Sequence, residues 1–382
     1  MTIYSLLPTT GPQGQLMLAI QDGEFLALDE AHYERRDETV NLLPLPDSAP
    51  GSGGWTPGAA QSAATGLAQD GDAVAVIGDF DSGATATTLP ITAKSGILQV
   101  SPGSSYIGLT DPSPVDEIGE PSRYYPSGAR TFARLIPSDA DEALAGTHFM
   151  RDLAIRSVFI VTDSSPYDGS FDSAIGALVG HDARAAGITV LGRDQIDSAD
   201  TTTPAGYASL AAAIVASGAQ AVYVAGVPDS GTVALWQALY ASDPGLPLFA
   251  PSTLATGPFL DHLGPATVST YFTSPILPLD QYPRRARAVY AAYRRARFAA
   301  PWSPYVLYGY EAMESILDTI SYAGADPDRH DVLETYFHLG YRDRSVIGRY
   351  RIDARGDTSL TRFEGYSVEP SGSRRAMERL RG

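Results

Sequence analysis

The sequence predicts an α/β protein of two lobes, each built around a doubly wound parallel sheet. The chain has 382 residues, more than a single hydrophobic core usually serves, so two lobes are expected. Short apolar segments without polar–apolar alternation recur along it, as is typical of buried parallel strands. Segments of helical length separate these strands, and the resulting strand–helix–strand order favours right-handed parallel crossovers.

The first part of the chain alternates between strand and helix. Its first helix has an apolar stripe that includes Leu16, Ile20 and Leu26. In chain order the predicted elements are a strand at Thr2–Leu7, a helix at Gln15–Tyr33, a strand at Val40–Leu45, a helix at Gly58–Gln69, a strand at Ala73–Ile77, a helix that opens at Ser82, a strand at Ile97–Val100 and, after a long loop at Asp111–Gly128, a strand at Thr131–Leu135.

A second series repeats this rhythm without an obvious sequence repeat. Its predicted elements are helices at Ala140–Leu153, Phe171–Ala186, Ala208–Ser217 and Gly231–Ala241, and strands at Ser157–Thr162, Thr189–Leu191, Ala219–Ala225 and Leu248–Ala250. The segment Val268–Ser274 is expected to cross back to the first lobe, which helices at Tyr282–Phe298, Tyr305–Ala323 and Asp331–Leu339 complete. Alternating side chains in Ser345–Ile352 and Ser359–Glu369 predict a terminal hairpin.

The composition excludes several classes of protein. A formal net charge of −17 argues against binding to nucleic acid or to an anionic membrane, because both need basic surface. The sequence has no cysteine, which removes disulfides, thiolate zinc sites and catalytic thiols. No apolar run reaches membrane-spanning length. The six histidines lack the spacing of metal ligands, so neither a metal nor a cofactor is predicted.

Known catalytic motifs are also missing from the sequence. It contains no Walker loop, no GxGxxG after a strand and no G-x-S-x-G elbow. Ser82 and Ser105 are possible nucleophiles, but neither has a nearby lysine or a motif-placed histidine as base. Hydrogen bonding to a ligand is therefore the favoured role for both. A pair of carboxylates, as in glycosidases, stays open because spacing alone does not locate one.

Two loops rich in glycine and serine follow neighbouring predicted strands. They are Gly78–Gly83 and Ser101–Ser105. Ligands of doubly wound sheets bind outside the carboxyl ends of the strands, and a helix N-terminus there attracts an anion. The hydroxyls of Ser82 and Ser105 and the bare backbone at Gly103 predict a pocket for a small carboxylate. Capping of the following helix would explain Ser82 equally well.

The same segments carry a family resemblance. Gly78-Asp-Phe-Asp-Ser-Gly, followed by Leu-Pro-Ile and by Ser95-Gly-Ile-Leu-Gln-Val-Ser-Pro-Gly-Ser-Ser, resembles the leucine/isoleucine/valine-binding proteins of bacterial ABC importers, which are type I periplasmic binding proteins. The resemblance resumes at Thr131–Asp139 and Val158–Gly169, and again at Tyr308-Gly-Tyr-Glu-Ala-Met-Glu-Ser. It therefore extends over nearly the whole chain.

This resemblance implies roles for six residues. Ser82, Gly103 and Ser105 match the positions that hold the α-carboxylate of the ligand, with backbone contact at Gly103. Tyr167 matches the tyrosine that closes over the ligand from the second lobe. Ser252 stands where amino-acid binders place an acid for the ligand ammonium, and an unpaired buried ammonium is costly. Either Asp229 supplies that charge or the ligand has no ammonium, and a helix cap is the slightly favoured role for Asp229.

The resemblance also implies the organisation and the function. Three hinge crossings would join a lobe of residues 1–132 and 273–344 to one of residues 133–272 and 345–382, with the ligand in the cleft between them. The expected function is delivery of a small amino acid or related carboxylate to an ABC permease, without chemistry. The protein would be an extracytoplasmic monomer, with its signal segment absent from this chain. The alternatives are a sensory domain of the same fold and, more distantly, an amidase or hydrolase.

Overall fold

The computed structural model describes residues 1–11, 13–35, 38–114, 119–163, 169–196 and 203–382. The chain divides into two compact units. Within the described residues, the first unit consists of Met1–Pro112, 119–137 and Leu277–Leu360, and the second mainly of Ser138–Ile276 and Thr361–Gly382.

Strands and helices alternate along most of the chain. The strands are β1 (Thr2–Leu6), β2 (Glu34–Arg35), β3 (Glu38–Thr39), β4 (Asn41–Pro44), β5 (Ala73–Gly78), β6 (Leu98–Ser101), β7 (Phe132–Arg134), β8 (Ser157–Asp163), β9 (Thr189–Ile196), β10 (Ala221–Ala225), β11 (Leu248–Ala250), β12 (Thr270–Ser274), β13 (Tyr341–Arg342), β14 (Tyr350–Arg351), β15 (Arg362–Val368) and β16 (Arg374–Arg381). The helices are α1 (Gly14–Glu30), α2 (Pro57–Gln69), α3 (Ser82–Lys94), α4 (Asp139–Asp152), α5 (Gly169–Ala185), α6 (Pro204–Ala216), α7 (Ser230–Ser242), α8 (Gly257–His262), α9 (Arg284–Ala296), α10 (Val306–Tyr322) and α11 (Arg329–Leu339).

The sheet of the first unit has the order β4-β1-β5-β6-β7, with every neighbouring pair parallel. Every residue of β5 is buried, which is why its sequence is apolar without alternation. The chain runs from β1 out to β4 and then returns to the other side of β1 at β5. This reversal of strand order places the carboxyl end of β5 at the switch point, where doubly wound sheets bind ligands.

The second unit contains the sheet β16-β15-β12-β11-β10-β8-β9. Its strands from β12 to β9 are parallel, while β15 and β16 are antiparallel. Side chains on both faces form apolar clusters, one around Trp236 and Phe272 and the other around Phe149 and Phe249. The predicted α/β class with two parallel-sheet lobes is therefore confirmed. In the described residues, no helix is long and apolar enough to cross a membrane.

The predicted terminal hairpin is found only at its turn, where Ile352 and Thr358 form an antiparallel bridge. The pairing does not extend further, because β14 pairs with β13 in the first unit and β15 pairs with β16. The alternation around Tyr350 has another cause: its hydroxyl donates to the buried carboxylate of Glu311 on α10 at 3.0 Å, and the Val346 amide donates to the same group at 3.0 Å. Residues 345–360, assigned to the second lobe from the sequence, consequently lie in the first unit.

Candidate functional site

The carboxyl ends of β5 and β6 lead into the two loops rich in glycine and serine that are predicted to bind the ligand. We call residues 78–84 and 101–106 the strand-end site. Gly78 has a φ of 132°, and a side chain there would overlap the carbonyl oxygen of Leu6, so only glycine suits this turn. Helix α3 begins four residues later and points its N-terminus at the site.

Ser82 is the first residue of α3, not its cap. The N-cap residue is Asp81, and its side chain makes no capping hydrogen bond. The expectation that Ser82 caps this helix is therefore wrong. Its Oγ instead accepts a hydrogen bond from the Tyr106 amide at 3.1 Å, which joins the two loops and leaves the hydroxyl hydrogen to donate elsewhere.

Gly103 and Ser105 lie on the second loop, and their polar groups are used differently. The Gly103 amide donates to the Ser101 hydroxyl at 3.1 Å, so it serves the loop itself. A Cβ at position 103 would overlap the ring of Phe80, which explains the glycine. Ser105 is half-buried, and neither its hydroxyl nor its amide bonds to any residue that the structure describes.

A buried arginine fixes the orientation of this loop. Arg134 is fully buried and donates to the carbonyl oxygens of Ser104 at 3.2 Å and Tyr106 at 2.9 Å, and its Nε lies 2.8 Å from an Asp357 carboxylate oxygen. In a trans peptide the N–H points opposite to the C=O. Because Arg134 holds the Ser104 carbonyl, the Ser105 amide points away from it.

Hydroxyl groups complete the support beneath the loop. Ser101 Oγ donates to the Asp79 carbonyl at 2.6 Å, and Ser104 Oγ bonds to the same carbonyl at 3.0 Å and to Thr85 Oγ1 at 2.6 Å. Ser101 and Ser104 are fully buried. Of the three serines in this loop, only Ser105 is left for a ligand.

Two buried carboxyl groups lie at the same end of the sheet. Asp47 follows β4 and Asp79 follows β5, and both are fully buried. Asp79 accepts hydrogen bonds from Thr88 and, at 3.1 Å, from Gln99 Nε2. Burial, with the neighbouring charge of Asp79, raises the pKa of Asp47 to about 8, and burial raises the pKa of Asp79 to about 7.

This pair was not predicted from the sequence. The available signals were the acidic residues on either side of Phe80 and a glutamine within the apolar strand β6.

An aromatic surface borders the strand-end site. Phe80 packs edge-on against Tyr305, with ring centroids 5.4 Å apart, and Tyr305 contacts Tyr308 at 6.0 Å. Phe80 and Tyr305 are only half-buried, so part of each ring stays accessible. The first unit therefore places hydrogen-bond donors beside accessible aromatic rings.

The two candidates of the second unit both have internal partners. The Asp229 carboxylate accepts a hydrogen bond from the Thr232 amide at 2.9 Å and caps α7. Ser252 donates to Glu142 from its amide at 2.6 Å and from its hydroxyl at 2.8 Å. Thr273 Oγ1 also donates to this buried glutamate at 2.9 Å, and burial raises the pKa of Glu142 to about 7.

Glu142 is thus an acid beside Ser252 that was not predicted from the sequence, because it comes from α4, 110 residues earlier.

The other candidates fall outside these clusters. Tyr167 lies outside the described residues. A surface groove of about 890 Å³ runs along α11 and is lined by residues such as Tyr322, His330 and His338, none of them predicted site residues. In the part of the chain that the structure describes, no group of three or more His, Cys, Asp or Glu residues could hold a metal ion.

Comparisons with known proteins agree with this architecture. A model of the periplasmic binding protein family matches residues 3–362. An amino acid binding protein of Pseudomonas aeruginosa is 24% identical over 325 residues, covering 83% of this chain and 77% of that protein. A Leu/Ile/Val-binding protein homologue of Brucella melitensis is 25% identical over 373 residues, covering 95% of this chain and 89% of that protein.

Solved structures share the fold over the full length. A leucine-binding protein from Thermotoga maritima has a TM-score of 0.80 at 20% identity, covering 100% of this chain and 99% of that one. An ABC transporter solute-binding protein from R. palustris, in complex with benzoate, has a TM-score of 0.76 at 17% identity, covering 100% and 96%.

Proposed function

We propose a function for this chain from the premise that it belongs to the periplasmic binding protein family: it is an extracytoplasmic receptor for a small carboxylate with an apolar or aromatic body. Members of this family bind substrates and are not enzymes. Delivery of the ligand to an ABC permease is part of the proposal, supported by similar structures that are described as ABC transporter proteins.

The observation that carries the proposal is the set of donors at the strand-end site. The Ser105 hydroxyl and amide bond to no described residue, and the Ser82 hydroxyl hydrogen is available. The amides of Gly83 and Ala84 in the first turn of α3 have no partner among the described residues either. Donors at the positive end of a helix dipole suit an anion. The ligand group proposed here is therefore a carboxylate.

The charges of the second unit favour a ligand without an ammonium group. Asp229 caps α7, and Glu142 already accepts three hydrogen bonds from Ser252 and Thr273. Neither acid is left as a dedicated partner for a buried ammonium, which would need one. Similar proteins have been solved with isoleucine and leucine, but also with benzoate and 4-hydroxybenzoate, so the fold accommodates both kinds of ligand.

Matched ligand pairs test this proposal. Calorimetry on protein stripped of retained ligand by unfolding and refolding would compare leucine with 4-methylpentanoate, which differs only by lacking the ammonium, and phenylalanine with 3-phenylpropanoate. We expect the ammonium-free member to bind at least about tenfold more tightly in each pair, because it avoids an uncompensated charge. Benzoate is expected to bind, and leucinamide, which has no carboxylate, is not.

Two results would contradict the proposal in different ways. Equal or tighter binding of the amino acid would mean that the second unit provides an ammonium site. Equally tight binding of leucinamide and leucine would show that the protein does not recognise the carboxylate.

A further inference from the structure

Helix α9 concentrates positive charge in an acidic protein. It contains Arg284, Arg285, Arg287, Arg294 and Arg295, and Arg297 follows at once. Residues 281–310 contain no aspartate or glutamate, although the whole chain has 44 acidic residues against 27 basic ones. The near absence of lysine accounts for the choice of arginine but not for this clustering.

Four of these arginines share one side of the helix. At about 100° per residue, Arg284, Arg287, Arg294 and Arg295 fall within an arc of about 100°. We call these four residues the arginine face. They are exposed, as is Ala291 between them, while Val289 and Tyr293 are buried on the opposite side.

The arginine face has no partner within the described chain. None of its four side chains makes an ion pair or a hydrogen bond to a described residue. Two acids contact other residues of the helix. Glu314 pairs with Arg285, and Asp22 accepts a hydrogen bond from the Tyr293 hydroxyl on the buried side. The positive charge of the face is therefore not neutralised locally.

This arrangement costs local stability. Arg284 and Arg285 stand in the first turn, at the positive end of the helix dipole, where acidic residues are favoured and none is present. Arg284 and Arg287 are also three residues apart, a spacing at which like charges repel. Charged residues that destabilise their own helix, with no stabilising partner within the protein, indicate a functional surface.

Aromatic side chains border the arginine face. Tyr290 and Trp302 are half-buried and pack edge-on, with ring centroids 4.8 Å apart. The Trp302 indole N–H bonds to no residue in the described ranges. Tyrosine and tryptophan beside basic residues are typical of surfaces that meet lipid headgroups, because each ring has an apolar body and a polar tip.

We propose that the arginine face binds an anionic lipid surface. Four exposed cations within one arc of a helix, bordered by Tyr290 and Trp302, suit the plane of phosphate groups that an anionic bilayer presents. The net charge of −17 does not prevent this, since at physiological salt charges beyond about 8–10 Å are largely screened. The prediction against membrane binding rested on the net charge of the whole chain, which does not show that the surface at α9 is basic.

Vesicle sedimentation tests the proposal on the full chain. The wild type would be mixed with vesicles of phosphatidylcholine alone, or with about one third phosphatidylglycerol, at low and high salt. The test variant is Arg284→Gln, Arg287→Gln, Arg294→Gln and Arg295→Gln together, since glutamine keeps helix propensity. The control replaces the exposed Arg156, Arg349, Arg375 and Arg379 by glutamine, with the same change in net charge.

We expect the wild type and the control to bind only anionic vesicles, and less at high salt. The arginine-face variant should bind at least about 50-fold more weakly, because each basic residue near such a surface contributes appreciably. Circular dichroism would verify that both variants are folded. Absent binding by the wild type at low salt, equal loss in both variants, or binding to poly-glutamate but not to vesicles would each overturn the proposal.

Discussion

Ser105 is the residue of the strand-end site whose side-chain hydroxyl and amide both bond to no described residue. We expect Ser105→Ala to weaken binding of 4-methylpentanoate about tenfold or more, because a hydrogen bond to a charged group is lost. Thermal stability should be nearly unchanged, since the hydroxyl stabilises nothing within the described chain. Ser62→Ala, on the exposed side of α2, is the control, and calorimetry is the measurement. Unchanged affinity in Ser105→Ala would remove this residue from the site.

The substitution Asp229→Asn distinguishes a role in helix capping from a role in ligand binding. Asn caps helices about as well as Asp but carries no charge. Because the Asp229 carboxylate accepts from the Thr232 amide, we expect Asp229→Asn to leave both stability and 4-methylpentanoate binding unchanged. Asp229→Ala should lower stability by about 1 kcal/mol through loss of the cap. A loss of leucine affinity in Asp229→Asn, measured by calorimetry, would instead identify this residue as the ammonium partner.

The backbone of the loop after β6 packs closely against the Phe80 ring at Gly103. A methyl group at Gly103 would overlap the Phe80 ring, so Gly103→Ala must displace that ring or the loop. We expect this variant to have a lower melting temperature and weaker 4-methylpentanoate binding. Adding Phe80→Leu should restore part of the stability, since neighbouring substitutions couple.

Purely additive losses in that double variant would show that the ring is not the obstacle. Calorimetric melting of the two single variants and the double variant provides the comparison.

Strands and helices can be predicted from the sequence more fully than the hydrogen bonds that side chains form within loops. The strand predicted at Ile97–Val100 is found at Leu98–Ser101, because a buried run of apolar residues is visible in the sequence itself. The roles of Ser101 and Ser104 were not predictable. They resemble Ser105 chemically, and their partners depend on a loop shape fixed by Arg134, about thirty residues later. The extended hairpin was mispredicted for the same reason, because the Tyr350 side chain bonds to a buried glutamate on α10 while its backbone pairs with β13.

Across the whole molecule, buried carboxyl groups make stability depend on pH. Burial raises the pKa of several to between about 7 and 8, namely Asp47, Asp79, Glu142 and Glu311. Unfolded carboxyl groups release their protons near pH 4, so between about pH 5 and 8 the folded state binds more protons. We therefore expect stability to fall as the pH rises through this window, by up to about 1.4 kcal/mol per pH unit for each proton retained. Groups whose pKa is lowered, such as Asp70 and Asp353, act only at lower pH.

We expect the melting temperature to be lower at pH 8 than at pH 5.5, and Asp47→Asn to reduce that difference. The amide cannot ionise, so one of the buried charges forced on the pair at high pH is avoided. Asp72→Asn, at an exposed position, should keep the wild-type dependence. A melting temperature that rises from pH 5.5 to 8 would show that the buried pair does not dominate.

Helix α3 has a practical consequence for experiments on this protein. Its first turn forms part of the strand-end site, and its last turn ends in Lys94, the only lysine in the sequence, which is exposed. Twelve residues of rise separate Lys94 from Ser82, which is about 18 Å along the helix. An amine-reactive fluorophore would therefore mark a single side chain, in addition to the α-amino group. Since cysteine is absent as well, one engineered thiol would accept a second, chemically distinct dye without any competing side chain.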